Sequence, residues 1–214
     1  MNAIFSFDHF NQLPIIGILR KMPASLMQQV VSIYQEAGFS TLEVTLNTPD
    51  ALQHIKSLRR SFPSLNIGAG TVCTLDEMEQ VLAAGATFIV SPIMKEEMIH
   101  SCQRRQIPIF PGAFSPSEIY LAWAAGATMV KLFPAGQMGP AYLKDVLAPL
   151  DQIKIMPVGG INLKNAADFL KAGAAGLGIA SDLFPKDIIE RKDWPALRKN
   201  FDDFRIIYEK HRQS

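Results

Sequence analysis

Two ionisable side chains, Lys131 and Glu43, stand where strand periodicity points them away from the expected helix layer and toward an interior. The run Met129-Val130-Lys131-Leu132-Phe133-Pro134 follows Gly126 and is closed by Pro134-Ala135-Gly136, so it reads as a short buried strand. Successive strand side chains alternate faces, which sets Met129, Lys131 and Phe133 on one side and Val130 and Leu132 on the other. A buried lysine is rare because desolvating an ammonium is costly, and the same cost lowers the amine's pKa and makes it nucleophilic near neutral pH. The alternative is an edge strand carrying a solvated lysine. A second strand, Thr41-Leu42-Glu43-Val44-Thr45-Leu46-Asn47, puts Leu42, Val44 and Leu46 on one face and Thr41, Glu43, Thr45 and Asn47 on the other. In a parallel sheet covered by helices the apolar face packs beneath the helices, so Glu43 looks into whatever the sheet encloses. A carboxylate and an amine on separate strands suit acid–base chemistry.

Positioning these groups requires a sheet, and the chain supplies strand and helix patterns in alternation. Strands are expected near residues 15–20, 41–46, 66–72, 88–92, 108–112, 129–134, 154–159 and 176–181, and helices over 25–37, 75–84, 115–124 and 165–172 among others. A weak internal repeat sets the phase: Glu36-Ala37-Gly38-Phe39, Ala83-Ala84-Gly85-Ala86, Ala124-Ala125-Gly126-Ala127 and Lys171-Ala172-Gly173-Ala174 each put glycine just past a helix, where a left-handed cap needs it. No Ser/Gly/Pro linker breaks the alternation, so the expected fold is a single α/β domain over 1–214. Eight strand–helix units in about 200 residues fit a compact (β/α)8 TIM barrel. A doubly wound open sheet is the competitor, but Gly17-Ile18-Leu19-Arg20 lacks its glycine fingerprint. The flanks fit a barrel: residues 5–13 could plug one end, and Trp194, Leu197, Phe201, Phe204 and Tyr208 lie at the spacing of a terminal amphipathic helix packed on the core.

Barrel sites form at the C-terminal ends of strands. Arg20 ends the first strand, Asn47 the second, and Thr71 follows Gly68-Ala69-Gly70 on the third. Ser91-Pro92 and Pro111-Gly112 end the fourth and fifth, Lys131 and Phe133 lie on the sixth, and Gly159-Gly160 and Gly178-Ile179-Ala180-Ser181 end the last two. Glycine-rich ends on the final two strands are the usual phosphate cradle of such a barrel. His9, His54, His100 and His211 avoid the strand ends, which argues against a metal centre, and no dinucleotide fingerprint or Ser/His/Asp arrangement is present. An inward lysine and glutamate, an arginine for an anion and a phosphate cradle suit imine chemistry on a phosphorylated keto acid, with no cofactor.

Composition narrows the partners. A formal charge of +1 gives no electrostatic case for nucleic acid, and Lys56-Ser57-Leu58-Arg59-Arg60 reads as a solvated helix end. No apolar run reaches the roughly 20 residues of a membrane span. Cys73 and Cys102 form no metal spacing and read as reduced, buried thiols, and with no signal-peptide pattern a cytoplasmic location is expected.

The motifs Leu42-Glu43-Val44-Thr45-Leu46, Gly68-Ala69-Gly70-Thr71-Val72, Pro111-Gly112, Val130-Lys131-Leu132-Phe133-Pro134, Met138-Gly139-Pro140 and Pro157-Val158-Gly159-Gly160-Ile161 resemble the 2-keto-3-deoxy-6-phosphogluconate and 4-hydroxy-2-oxoglutarate aldolases over residues 14–181. The resemblance implies a metal-independent class I aldolase on a (β/α)8 barrel, usually a homotrimer. It implies that Lys131 forms the Schiff base with pyruvate and that Glu43 is the general acid/base. Thr71 and Arg20 would hold the carboxylate end, Pro92 and Phe133 would wall the pocket, and Gly159, Gly160 and Ser181 would take the phosphate. Two departures stand out. Asn47 occupies a position where many members carry Arg. The branch acting on 2-keto-3-deoxy-6-phosphogalactonate resembles this chain in having Asn there, so the residue bears on substrate epimer. That branch differs, however, at Val44-Thr45. Ala180 replaces a more usual glycine in the last phosphate loop. The competing readings are that galactonate-derived substrate, a non-catalytic phosphosugar-binding barrel, and an isomerase or epimerase of the same fold, which would want metal ligands or a second acid/base.

Overall fold

The computed structural model describes residues 4–213. Nine short strands are all parallel: β1 (Ile15–Leu19), β2 (Thr41–Thr45), β3 (Asn66–Gly70), β4 (Ile89–Val90), β5 (Ile109–Phe110), β6 (Gly112–Ala113), β7 (Val130–Leu132), β8 (Ile155–Pro157) and β9 (Leu177–Ile179). They make a curled sheet of six in the order β5-β4-β3-β2-β1-β9 and a sheet of three in the order β6-β7-β8. The strand expected over 108–112 is thus divided. Pro111 sits between β5 and β6, has no N–H to give a ladder, and leaves one sheet on each side. Beyond β8 a single parallel bridge, Val158 to Gly178, touches β9.

Helices separate the strands: α1 (Phe7–Gln12), α2 (Ala24–Glu36), α3 (Ala51–Ser61), α4 (Leu75–Ala83), α5 (Glu96–Arg104), α6 (Pro116–Ala124), α7 (Ala135–Leu147), α8 (Ala166–Lys171), α9 (Lys186–Glu190) and α10 (Trp194–Arg212). Capping boxes start two of them, Thr74 with Glu77 on α4 and Ser115 with Glu118 on α6. The four repeat glycines, Gly38, Gly85, Gly126 and Gly173, have φ of 90°, 97°, 101° and 101°, the left-handed stop their spacing predicts.

Strand alternation divides the apolar residues into two clusters. Leu42, Val44, Val130 and Leu132 pack outward beneath the helices. Ile16, Ile18, Phe88, Val90, Phe110, Met129, Met156 and Val158 form a separate inner cluster, joined by Phe5 and Phe10 from the N-terminal segment. Edge-to-face ring contacts bind that inner cluster, with centroids 5.5 Å apart for Phe5–Phe88, 6.0 Å for Phe10–Phe110 and 5.8 Å for Phe88–Phe110. Burying each such ring contributes about 1.5–3 kcal/mol, so α1 is held by its aromatics and closes the inner face on one side. At the other flank, Leu197, Phe201 and Phe204 of α10 are buried, in line with their spacing.

Buried Tyr34 of α2 ties the first two strands together. Its hydroxyl accepts from Gly17 N–H at 3.1 Å and donates to the Thr41 carbonyl at 2.7 Å. A side chain at 17 would strike the tyrosine oxygen, which explains the glycine inside β1.

Candidate active site

Lys131 is the middle residue of β7, paired with Gly112 of β6 on one side and Met156 of β8 on the other. A central strand replaces the edge-strand alternative, and the side chain is 6% exposed. Burial holds its amine below the usual lysine range. The carboxylate of Glu43 works against that depression, and the nearby Arg20 charge adds to it. The ammonium nitrogen lies 4.9 Å from the centroid of the Phe133 ring, two residues along the same strand face.

Glu43 is the centre of β2 and only 2% exposed. Burial pushes its carboxyl above the usual range, while Lys131 and Arg20 draw it down. Its Oε2 has no hydrogen-bond partner among the described residues. The inner face of the neighbouring strand β3 carries two glycines, Gly68 paired with Glu43 and Gly70 paired with Thr45. A Cβ at Gly68 would lie 2.6 Å from Phe88 Cγ, so a ring fills that space. A Cβ at Gly70 would overlap the carboxyl of Glu43 and sit 2.6 Å from its Cγ. The carboxyl therefore leans across the ladder and lies over Gly70.

The remaining expected residues gather at the C-terminal ends of the strands. Thr71 follows β3 with φ 61°, a left-handed conformation unusual for a β-branched residue. Asn47 is exposed, and its Oδ1 accepts from Thr45 Oγ1 at 2.8 Å. Thr45 also lies 3.1 Å from Thr48 Oγ1, which in turn accepts from Lys21 N–H at 2.9 Å. The turn after β1 is thereby fastened to the end of β2. Pro92 is half-buried, and its backbone carbonyl occupies the space a Cβ on Gly112 would need. Phe133 is 38% exposed. Gly159 and Gly160 have φ of 88° and 79°. Their carbonyls are taken by Gly136 N–H at 2.7 Å and Asn165 Nδ2 at 2.8 Å.

One arrangement departs from the sequence reading. Arg20 and Ser181, expected at opposite ends of the pocket, line a single cavity of about 500 Å³. They can do so because they follow β1 and β9, which are adjacent strands. Ile18, Met22, Phe184 and Ile189 give this cavity an apolar lining, and Lys21 and Lys186 add charge to it. Ser181 is exposed, with its hydroxyl 3.5 Å from Asp182 Oδ2.

Sequence reasoning passed over three groups here. Lys21 directly follows the recognised Arg20, so its position alone could have flagged it. Lys186 arrives from α9 and had no local signal. Cys73 reads from the sequence as a buried thiol, as Cys102 is; it is instead half-buried and close enough for its charge to bear on Lys131. Burial, then the neighbouring Glu77 carboxylate, raises its pKa. Among the described residues no three His, Cys, Asp or Glu side chains gather as a metal site, and no helix is long and apolar enough to cross a membrane.

Comparison with known proteins agrees with this geometry. Residues 8–200 match the family described as "Aldolase: KDPG and KHG aldolase". The chain is 35% identical to a 2-dehydro-3-deoxy-phosphogluconate aldolase of Pseudomonas aeruginosa over 87% of its own length and 84% of the relative's. It is 33% identical to the 2-dehydro-3-deoxy-6-phosphogalactonate aldolase of Escherichia coli, over 81% and 85%. The crystal structure of a KDPG aldolase from Legionella pneumophila, with pyruvate captured as a covalent carbinolamine intermediate, superposes with a TM-score of 0.82 at 32% identity, covering 91% of this chain and 95% of that one. A buried lysine facing a buried glutamate within this fold, and sequence matches running nearly end to end, lead to one assignment: the chain belongs to the KDPG and KHG aldolase family.

Proposed function

We propose that the chain is a class I aldolase cleaving 2-keto-3-deoxy-6-phosphogluconate to pyruvate and glyceraldehyde 3-phosphate. The single observation that carries this reading is that Lys131 and Glu43, both buried, share one interior and perturb each other's ionisation. The neutral amine of Lys131 adds to the C2 ketone, and the carbinolamine loses water to an imine. Glu43 accepts the C4 hydroxyl proton as the C3–C4 bond breaks, releasing the aldehyde and leaving an enamine on Lys131. Reprotonation at C3 and hydrolysis free pyruvate and the amine. Arg20 and Thr71 hold the carboxylate end, Pro92 and Phe133 wall the pocket, and Gly159, Gly160 and Ser181 receive the phosphate. The left-handed backbone of the two glycines, which directly follow Val158 at the C-terminal end of β8, supports that last assignment.

Borohydride trapping tests the proposal. Incubation with pyruvate and borohydride should add one reduced pyruvate to the intact chain, and peptide mapping should place it on Lys131. Lys131→Arg should abolish the label and turnover, since a guanidinium cannot act as the amine. Label on another lysine, or none, overturns the assignment, and no label at all would favour a phosphosugar-binding barrel without chemistry.

A second substrate reading, the galactonate-derived epimer, is favoured by Asn47 and by the likeness to the Escherichia coli enzyme. Cleavage of 4-hydroxy-2-oxoglutarate to pyruvate and glyoxylate is a further expected activity. The two sheets read as one closed (β/α)8 barrel within a single domain, a reading supported by continuity across Pro111 and by the Val158–Gly178 bridge. Exposed Ile93, Phe114, Phe133 and Met138, near strand ends, suit a homotrimer, which light scattering would test. Free Cys73 and Cys102 suit the cytoplasm.

A further inference from the structure

We propose that Gly70 is a positioning residue for proton transfer: its missing side chain is the slot that holds the Glu43 carboxyl. This inference rests on the reading of Glu43 as the acid/base.

The geometry is specific. Paired residues on neighbouring strands point to the same face, and Glu43 is paired with Gly68, so its own Cα lies one inward-facing position below Gly70. Two residues along a parallel strand are about 6.6 Å. Leaning over Gly70 instead of standing above Gly68 therefore carries the carboxyl toward the C-terminal ends of the strands, where Arg20, Thr71 and Pro92 gather. The place over Gly68 is already filled by the Phe88 ring. The two glycines on the interior face of β3 lack side chains, yet their places are occupied from opposite sides, one by an apolar ring and one by a carboxyl.

The slot also shapes the environment of the carboxyl. Glu43 Oε2 has no partner among the described residues and Glu43 is almost fully buried, so the backbone of β3 shields the group without binding it through that oxygen. An alanine methyl at 70 cannot coexist with this rotamer. The carboxyl must swing away from β3. The effect is thus on where Glu43 points, and Lys131, across the interior on β7, keeps its own contacts.

The test is a cycle of four proteins: the parent, Gly70→Ala, Glu43→Ala and the double variant. Each is measured for kcat and KM on 2-keto-3-deoxy-6-phosphogluconate, for borohydride-trapped pyruvate on Lys131, and for melting temperature. Gly70→Ala should lower kcat by about 10²-fold or more, the range for losing a general acid/base, while KM changes far less. Trapping on Lys131 should persist, although more slowly. Its melting temperature should fall in the parent but not in the Glu43→Ala background, which has no carboxyl for the new methyl to strike. Should Gly70→Ala fail to fold while the double variant folds, the collision is confirmed directly.

Equal losses of melting temperature in both backgrounds, or failure of both to fold, overturn the proposal and make Gly70 a general backbone requirement. A Gly70→Ala chain with unchanged kcat, beside a Glu43→Ala chain that has lost it, overturns the role of Gly70 alone. A Glu43→Ala chain that keeps its kcat removes the reading of Glu43 itself, and this inference with it.

Discussion

The ammonium nitrogen of Lys131 stands 4.9 Å from the centre of the Phe133 ring, so the residue proposed to wall the pocket lies against the amine proposed to form the imine. A ring face favours the charged amine by about 0.5–2 kcal/mol, opposing the burial that depresses its pKa. Phe133→Leu should keep the wall but remove that attraction. The midpoint of the pH dependence of pyruvate trapping should then move down by roughly 0.4–1.5 units. An upward shift would mean the ring acts on the amine mainly by excluding water.

Glu43→Gln separates chemistry from stability. A nearly isosteric amide cannot move a proton, so kcat should drop by about 10²–10⁴-fold. The same change should raise the melting temperature at neutral pH. Because burial raises the folded pKa of Glu43, the folded state binds more protons than the unfolded one above the ordinary value of 4.5, and stability falls as pH climbs through that window. Glutamine removes this dependence, with about 2–4 °C gained per kcal/mol. The gain should vanish below pH 4.5, where Glu43 is protonated in both states. Calorimetry across pH checks the sign; a melting point lowered at neutral pH would show that the carboxylate is a structural partner of Lys131 or Arg20.

Asn47 should govern epimer preference. It is exposed in the turn two residues beyond Thr45, which donates to its amide oxygen. Asn47→Arg should change the ratio of kcat/KM between the gluconate- and galactonate-derived substrates. The same ratio before and after would take Asn47 out of contact with the distinguishing hydroxyl.

Ser181→Ala should cost about 1.5–3 kcal/mol of charge-assisted hydrogen bonding to phosphate, a fall in kcat/KM of roughly 10- to 150-fold. For 4-hydroxy-2-oxoglutarate, which has no phosphate, little should change. Since Arg20 lines the same cavity as Ser181, Arg20→Ala should weaken both substrates. Equal losses for the two substrates on removing the Ser181 hydroxyl would move the phosphate elsewhere.

The sequence made the inward parity of Lys131 and Glu43 legible because strand periodicity is a local property, and the flanking apolar residues report it. The left-handed glycines ending α2, α4, α6 and α8 were legible for the same reason. Three features were not. The break at Pro111 depends on which neighbour needs the N–H that proline lacks. The shared cavity of Arg20 and Ser181 depends on β1 and β9 being neighbours, although they are far apart in the chain. The slot at Gly70 depends on the rotamer of a residue on another strand, while GAGT by itself suggests only close approach.

The break at Pro111 also places Glu43 and Lys131 in different sheets, the six-stranded one and the three-stranded one. Between β8 and β9 the ladder narrows to the single pairing of Val158 with Gly178, so that boundary is a thin part of the hydrogen-bonded frame. Amide hydrogen exchange should report it: amides along the β8–β9 boundary should exchange ahead of those in β1–β3, opening with a smaller free energy than the whole fold. Small excursions there would change the gap between the amine and the carboxyl without breaking either sheet. The separation of amine and carboxyl would then be set by a soft seam remote from the pocket, and a covalent staple across it, in place of any change to the pocket, would be the way to fix that distance.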